Sequence, residues 1–248
     1  AETSKQASAG IVFEPSRNFS ASLDWWKIDI NDNIQLPTLL QIVTYSADLG
    51  DLIIRDGGGN ITFLDQAWQN MGARKTEGLE LTLRGGVDGM GGRFTAGLDG
   101  TYLLKKKEKV TESAPFQDQI GIFSFTGDLG IRWKHNAFIG WSNEEWNFSL
   151  SQIFRQGYKN GALPGIANGT VTRLDYNKRV DDYNTYNFSL GWQVDSKFKL
   201  TAGIRNIFDT DPPFAITYDG NTGAGGSWEP RVADPRGRSF SVAVETNF

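Results

Sequence analysis

The sequence predicts an all-β protein: an antiparallel, up-and-down sheet of about nine strands that forms a segment of a transmembrane β-barrel. Three observations support this prediction. Apolar and polar residues alternate one by one in segment after segment of the 248 residues, which is the period of a strand with two different faces. The connections between these segments are alternately short and long. No stretch of about 18 apolar residues offers a transmembrane helix.

Alternation identifies nine segments, each with a mainly apolar and a mainly polar face. In the seventh segment, Phe188, Leu190 and Trp192 alternate with polar or small residues. Because successive side chains of a strand point to opposite faces, this pattern predicts strands and no helix. The nine predicted strands cover residues 5–13, 19–31, 79–83, 94–104, 131–141, 146–154, 184–194, 198–204 and 238–248.

The connections sort into two groups by length. The short ones are Glu14–Asn18, Gly86–Gly92, Asn143–Glu145 and Asp195–Lys197. The long ones cover residues 32–60, 111–124, 159–181 and 209–235, and they are rich in Gly, Asn, Asp and Pro. Short turns at one end and long loops at the other are typical of outer-membrane barrels.

The final strand indicates a wall that faces lipid. Phe240, Val242, Val244 and Phe248 share one face of it, and a barrel needs apolar residues outward and aromatic residues at the interfaces. The opposite faces of the predicted strands carry charged residues such as Lys134. These suit a wide aqueous lumen, but they also suit the solvated face of a soluble sandwich, and the alternation leaves both open.

Composition excludes several other classes of protein. The chain has no Cys, so a disulfide framework and thiolate metal sites are excluded. The net charge of −4 gives no reason to expect a nucleic-acid partner. His135 is the single histidine and no motif supplies a partnered nucleophile, so we predict no catalytic residue, no metal site and no cofactor. The first residues, Ala1–Ser4, are not a signal peptide, which predicts a mature form or a piece of a longer chain.

Two motifs near the end of the chain carry a family resemblance. Gly203-Ile204-Arg205-Asn206-Ile207-Phe208-Asp209, continuing to Phe214, resembles the "G-x-R-N-L-F-D-x-x-P-P" signature of TonB-dependent outer-membrane receptors. Asp234-Pro235-Arg236-Gly237-Arg238-Ser239-Phe240 and the final aromatic strand resemble the segment that follows it. The earlier segment Lys75-Thr76-Glu77-Gly78-Leu79-Glu80-Leu81 is similar to a "T-x-G-x-[ED]" strand of the same family.

The resemblance implies a Gram-negative outer-membrane receptor with a 22-stranded barrel. Such a receptor contains a plug domain and imports a scarce nutrient, such as a siderophore, cobalamin or oligosaccharide, with TonB-derived energy. This sequence shows about nine strands, no plug domain and no energy-coupling box. We therefore expect residues 1–248 to be the C-terminal part of the receptor barrel. Its expected partners are the remainder of the barrel, the plug domain, the TonB complex reached through that plug, outer-membrane lipid and the substrate.

Four alternatives remain open from the sequence. A barrel-embedded enzyme predicts loss of a hydrolytic activity on His135→Ala. An independent barrel of eight or ten strands requires a miscount by one strand. A passive, porin-like channel requires that no plug is encoded upstream. A soluble all-β carbohydrate-binding module requires the polar faces to be the solvated surface.

The long connections offer the best candidates for ligand contact. Tyr218, Trp228 and Arg231 are aromatic and cationic side chains on loops over a rigid scaffold, where recognition groups are common. Arg205, Asn206 and Asp209 suit an architectural role, because Asn and Asp side chains hold turns. The resemblance further implies that Phe240 and Phe248 belong to a signal read by the barrel-assembly machinery.

Overall fold

The computed structural model describes residues 1–123, 129–161, 178–217 and 225–246, and it confirms the all-β prediction. Nine long strands form one antiparallel sheet in chain order, so each strand pairs with those before and after it. We label them β1 (Thr3–Ser16), β2 (Phe19–Asn31), β3 (Ala73–Gly89), β4 (Gly92–Lys109), β5 (Trp133–Ser142), β6 (Trp146–Arg155), β7 (Tyr183–Gln193), β8 (Phe198–Arg205) and β9 (Ser239–Thr246). Gln117–Asp118 pairs with the end of β4.

The long connections contain secondary structure that alternation did not predict. A six-residue helix, α1, spans Leu39–Thr44, and a 3₁₀ turn spans Gly50–Leu52. The prediction of no helix was therefore wrong for this connection. No helix in the described ranges is long and apolar enough to cross a membrane. Short paired strands are Ile34–Gln35 with Gln69–Asn70, Ile53–Arg55 with Ile61–Leu64, and Tyr158–Lys159 with Arg179–Val180.

Strands β3 and β4 extend well beyond their predicted bounds. Most of their extra residues are charged or glycine, as at Arg74 and Lys107, so no continuous apolar face marks them in the sequence. Part of this polar extension is held by ion pairs, since Arg74 binds Glu108 at 2.8 Å and Lys105 binds Glu77 at 3.0 Å.

The chain divides into two structural units, of which the first comprises Ala1–Ala9, Trp25–Gly78 and Leu103–Ile120. Its core is formed by Ile42, Leu49, Leu52 and Met71. Helix α1 supplies Ile42, and Thr38 and Gln41 form a capping box at its start, with backbone-to-side-chain distances of 2.8 and 3.2 Å. The connection between β2 and β3 thus has a core of its own.

The second unit comprises Gly10–Asp24, Leu79–Tyr102 and Gly121–Phe248. Its strand register places apolar side chains on one face of the sheet and mainly polar side chains on the other. Ile139 lies opposite Ala96 and Leu150, and Leu150 lies opposite Phe188. One position along, Ser151 lies opposite Phe138 and Asn187. Because residues directly opposite share a face, an apolar face and a mainly polar face run across β4 to β9, as predicted.

Aromatic side chains form a belt at each end of the apolar face. Near the short turns, Trp141 contacts Phe94 and Phe148 with ring centroids 6.4 and 5.8 Å apart, and Trp146 stacks on Trp192 at 5.3 Å. Near the long connections, rings meet in the order Tyr102, Trp133, His135, Phe154. At about 3.3 Å per residue, the belts lie roughly 26 Å apart along β5. A strand tilt of about 40° reduces this to roughly 20 Å, near the height of the apolar band of an outer-membrane barrel.

Candidate ligand site on the long connections

The floor of the candidate site is a small apolar cluster that joins three long connections. Tyr158, Val180, Ala215 and Ile131 form its buried centre. Phe123, Leu129 and Val232 pack against it. Backbone hydrogen bonds tie the same segments together, since the Lys159 amide donates to the Gly121 carbonyl at 2.6 Å. The Ile216 amide donates to Oδ1 of Asn160 at 2.8 Å. Loop residues that are distant in sequence are therefore held in fixed positions.

An ion pair between the buried Glu229 and the partly exposed Arg231 lies beside this cluster. Glu229 accepts two hydrogen bonds from the Arg231 guanidinium, at 2.7 and 2.9 Å, and a third from the Arg231 backbone amide at 2.9 Å. The Glu229 side chain is 5% exposed, whereas that of Arg231 is 37% exposed. The guanidinium carbon also lies 5.7 Å from the centre of the Phe123 ring, within range of a cation–π contact. Arg231 is thus fixed in orientation while part of it remains accessible.

Trp228 and Arg231 line the same cavity, whose volume is about 540 Å³. Phe123, Thr217 and Pro230 complete much of its wall. The indole Nε1 of Trp228 is buried and has no hydrogen-bond partner in the described part of the chain. A buried donor without a partner costs free energy, and an acceptor on a bound ligand would remove that cost. The cavity therefore offers a fixed cation, an aromatic wall and a donor that no described residue satisfies.

A second acid-Pro-Arg segment lies beside the first. Oδ2 of Asp234 lies 2.6 Å from a guanidinium nitrogen of Arg236, and it forms a longer ion pair with Arg205 at 3.6 Å. These three residues, together with Arg155 and Tyr183, line a cavity of about 420 Å³ above the polar face of β6 to β9. Pro230 and Arg231 line both cavities. The ion pair between Glu229 and Arg231 therefore lies where the two cavities adjoin.

The electrostatics of these groups follow from their surroundings. Burial opposes the ionisation of Glu229, but the hydrogen bonds from Arg231 outweigh it, and the pKa of Glu229 lies below its ordinary value. Burial raises the pKa of the Tyr158 hydroxyl, and the negative charge of Glu229 raises it further. The hydrogen bond from Arg236 lowers the pKa of Asp234 to about 2. Both carboxyl groups are therefore ionised, and Tyr158 is neutral, at neutral pH.

Arg205 and its neighbours hold the turn that leaves β8. The Asn206 side chain accepts from the Thr210 amide and donates to the Thr210 carbonyl, both at 2.9 Å. Asn206 and Asp209 have φ values of 49° and 56°, a region that Asn and Asp tolerate better than most residues. Asp209 also accepts from the Arg238 amide at 2.6 Å, which joins the two ends of this connection. These contacts support the architectural interpretation of the motif.

The predicted site residues have different outcomes. Trp228 and Arg231 are brought together, as described above, while Tyr218 and Phe248 lie outside the described residues. Phe240 is on the apolar face of β9 and is 73% exposed. Sequence reasoning missed Glu229 and Phe123. The repeated acid-Pro-Arg pattern of Glu229-Pro230-Arg231 and Asp234-Pro235-Arg236 was the signal for the ion pairs, but no signal in the sequence pointed to Phe123.

No group of three His, Asp or Glu side chains in the described ranges has the arrangement of a metal site.

Comparison with known proteins gives a direct match to a family. The model of the family described as "TonB dependent receptor-like, beta-barrel" matches residues 1–207. No curated protein matches the chain.

Solved structures with a similar fold include two siderophore receptors and an iron transporter. A variant of the ferric enterobactin receptor PfeA from Pseudomonas aeruginosa, in complex with enterobactin, matches with 18% identity and a TM-score of 0.66. The siderophore receptor PirA from Acinetobacter baumannii matches with 18% identity and a TM-score of 0.61. The FrpB iron transporter from Neisseria meningitidis matches with 13% identity and a TM-score of 0.60. Each match covers 100% of this chain but only 31% or 32% of the receptor, so the chain spans about a third of their length.

Proposed function

This chain belongs to the TonB-dependent receptor β-barrel family, and on that premise we propose that it is the C-terminal part of an outer-membrane uptake receptor. Its apolar face contacts lipid, and its polar face lines the lumen. The remainder of the barrel pairs with the outer edges of β1 and β9, which have no strand partner among the described residues. A plug domain outside this chain gates the lumen and receives energy from the TonB complex.

The substrate that this proposal favours is a ferric siderophore. The carrying observation is the cavity in which Glu229 fixes Arg231, with the Arg231 guanidinium carbon 5.7 Å from the centre of the Phe123 ring. The indole N–H of Trp228 in the same cavity has no partner among the described residues. A cation, an aromatic wall and a donor suit a ligand with acidic oxygens and flat rings. PfeA, one of the structural neighbours, is a ferric enterobactin receptor. In this proposal the long connections capture the ligand, and the polar face conducts it inward after the plug moves.

Binding and uptake by the full-length receptor test this proposal. Trp228→Ala and Arg231→Ala each remove a central contact, and such residues are typically worth about 1–3 kcal/mol, or roughly 5- to 150-fold in Kd. Lys199→Ala is the matched control, because it removes a charge from the polar face near the short turns, where Lys199 binds Glu245 at 3.7 Å. We expect weaker binding of labelled ferric enterobactin in both cavity variants and unchanged binding in the control.

Two results would count against the proposal. Unchanged affinity in both cavity variants would remove the cavity from ligand recognition. Uptake that continues after the proton-motive force is dissipated would instead indicate a passive, porin-like channel.

Phe240 and Phe248 form the proposed assembly signal. On the apolar face of β9, Phe240 is followed by Val242 and Val244, which gives the final strand an outward apolar row. Deletion of Phe248 should lower the amount of receptor in the outer membrane, measured by membrane fractionation and blotting. Normal outer-membrane levels of the deletion variant would refute this role.

A further inference from the structure

The connection between β2 and β3 exposes an apolar surface. Residues 33–47 contain no Asp, Glu, Lys or Arg, and helix α1 lies within them. Only Ile42 of the helix is buried. Leu39, Leu40 and Val43 are exposed, and Leu40 is 76% exposed. A helix on a protein surface normally turns its apolar residues toward the core and its polar residues toward water. Most of the apolar surface of α1 therefore lies outside the core that this connection forms.

The three exposed side chains of the helix share one face. Successive residues of an α-helix are turned by about 100°, so Leu39, Val43 and Leu40 fall within an arc of roughly 100°. We call these three residues the α1 face. The segment that leads into the helix adds two more exposed apolar side chains, Ile34 and Leu36. Single exposed apolar residues are ordinary, whereas a contiguous set marks a surface that another element covers.

The β4–β5 connection fixes the β2–β3 connection on one side. The Ser113 amide donates to Oδ2 of Asp48 at 3.2 Å. The Gln35 side chain donates to the Val110 carbonyl at 3.4 Å. The β2–β3 connection is therefore held in place by its neighbour, while the α1 face stays exposed.

The start of β1 contacts the same connection on its other side. The Glu2 carboxylate accepts a hydrogen bond from the Ile34 amide at 3.0 Å. The outer edge of β1 has no strand partner among the described residues. Because the turn between β1 and β2 is short, a strand that pairs with this edge in an up-and-down barrel must reach β1 through a long connection. That long connection enters β1 at the end of the sheet where Glu2 and Ile34 lie.

We propose that the α1 face is an interface for the long connection that precedes β1 in the full-length receptor. The inference rests on the proposed function, since only a larger barrel supplies that connection. Receptors with a similar fold have room for it, because this chain covers only 31% or 32% of their length. The α1 face carries no charge, so the covering segment contributes apolar side chains rather than ion pairs. Packing α1 between two connections holds this part of the barrel rim in one arrangement.

Cysteine labelling on intact cells tests the interface, because residues 1–248 contain no Cys and any Cys in the remainder can be replaced by Ser. Leu40→Cys and Val43→Cys report on the α1 face. Gly57→Cys is the matched control, because Gly57 is on the same connection and a side chain added there meets open space. With a membrane-impermeant maleimide, both α1 variants should react at least about tenfold more slowly than the control. Replacing the preceding connection by a short Gly-Ser turn should raise both rates to that of the control.

The outcomes separate this interface from the proposed function. If both α1 variants of the full-length receptor react as fast as Gly57→Cys, the interface is overturned and the proposed function stands. Slow reaction that persists after the preceding connection is shortened also overturns it, because the plug domain or a second copy then covers the α1 face. An unreactive Gly57→Cys would contradict the outward position of the long connections, and with it the proposed function. Heat-modifiable migration on gels verifies that each variant is folded.

Discussion

Replacing Leu150 by Arg should prevent stable insertion of the wall, whereas the same replacement at the adjacent Ser149 should be tolerated. Leu150 is four residues from Trp146 and four from Phe154, so it lies roughly 13 Å along β6 from each aromatic belt. It is therefore near the middle of the apolar face, opposite Ile139 and Phe188. Ser149 is on the other face, opposite Gly140 and Ser189.

The expected magnitude follows from these positions. An Arg on the lipid face of a barrel costs about 2–4 kcal/mol at the bilayer midplane. Since about 1.36 kcal/mol is a factor of ten, Leu150→Arg should lower the equilibrium constant for folding into a bilayer by roughly 30- to 900-fold. At Ser149 the Arg side chain enters an aqueous lumen between small neighbours, so a change of about 0.5 kcal/mol or less is expected.

The assay is reversible, urea-dependent folding of the full-length receptor into phosphatidylcholine vesicles, followed by tryptophan fluorescence. Unmodified receptor and both variants are compared at one lipid ratio. Equal free energies of unfolding for the two variants, or a larger loss for Ser149→Arg, would refute the assignment of the apolar face to lipid.

Three further predictions concern stability. Tyr158→Phe should leave the free energy of unfolding unchanged or raise it by up to about 1 kcal/mol, because the buried hydroxyl has no partner in the described chain. Tyr158→Ala should instead lower it by about 3 kcal/mol or more, because it leaves a cavity. Urea denaturation compares the two variants. Gly72→Ala should lower the free energy of unfolding by more than about 1 kcal/mol, because Gly72 has φ +71° and the added methyl group would meet the Lys109 and Val110 carbonyls. Gly91→Ala is the control, since Gly91 has the same φ but open space around it. Equal losses of stability in the two variants would contradict the steric argument. The pKa of Asp234 is about 2 when folded against an ordinary 3.8, so its ion pairs contribute stability that is fully present above about pH 4 and is lost as the pH falls through 2. Hydrogen exchange in residues 206–217 and 225–238 should show that loss, and Asp234→Asn should abolish its pH dependence.

The number of long strands and the face on which each side chain lies could be predicted from the sequence. This was possible because apolar and polar residues alternate along a strand that has one apolar and one polar face. The register of β5 to β9 agrees with that alternation residue by residue: Phe188, Leu190 and Trp192 share the apolar face. The bounds of β3 and β4 could not be predicted in this way. Where ion pairs such as Arg74–Glu108 stabilise a strand, both faces are polar and the period disappears.

The candidate site could be predicted only in part. Trp228 and Arg231 were identifiable because large aromatic and cationic side chains are unusual in a loop rich in Gly. Their common cavity was not predictable, because Phe123 reaches it from a connection more than a hundred residues earlier in the chain. Residues so far apart in sequence leave no local pattern when they meet. The burial of Glu229 was not predictable either, because Glu is an exposed residue type in most loops and only the folded arrangement leaves it 5% exposed.

The soluble alternative that alternation leaves open conflicts with the arrangement of the apolar face. A sandwich covers the apolar face of one sheet with a second sheet about 10 Å away. Within the described ranges all nine long strands belong to a single sheet, and Val242, Val244 and Ile139 on its apolar face are 72%, 63% and 58% exposed. Water would disfavour such a surface strongly, because each fully exposed side chain of this size forgoes about 1.5–3 kcal/mol of burial. A hydrocarbon environment removes that penalty, and the two aromatic belts, roughly 20 Å apart, mark where it ends. The exposure of this face is thus accounted for by the proposed function, in which the apolar face meets lipid and the polar face meets water.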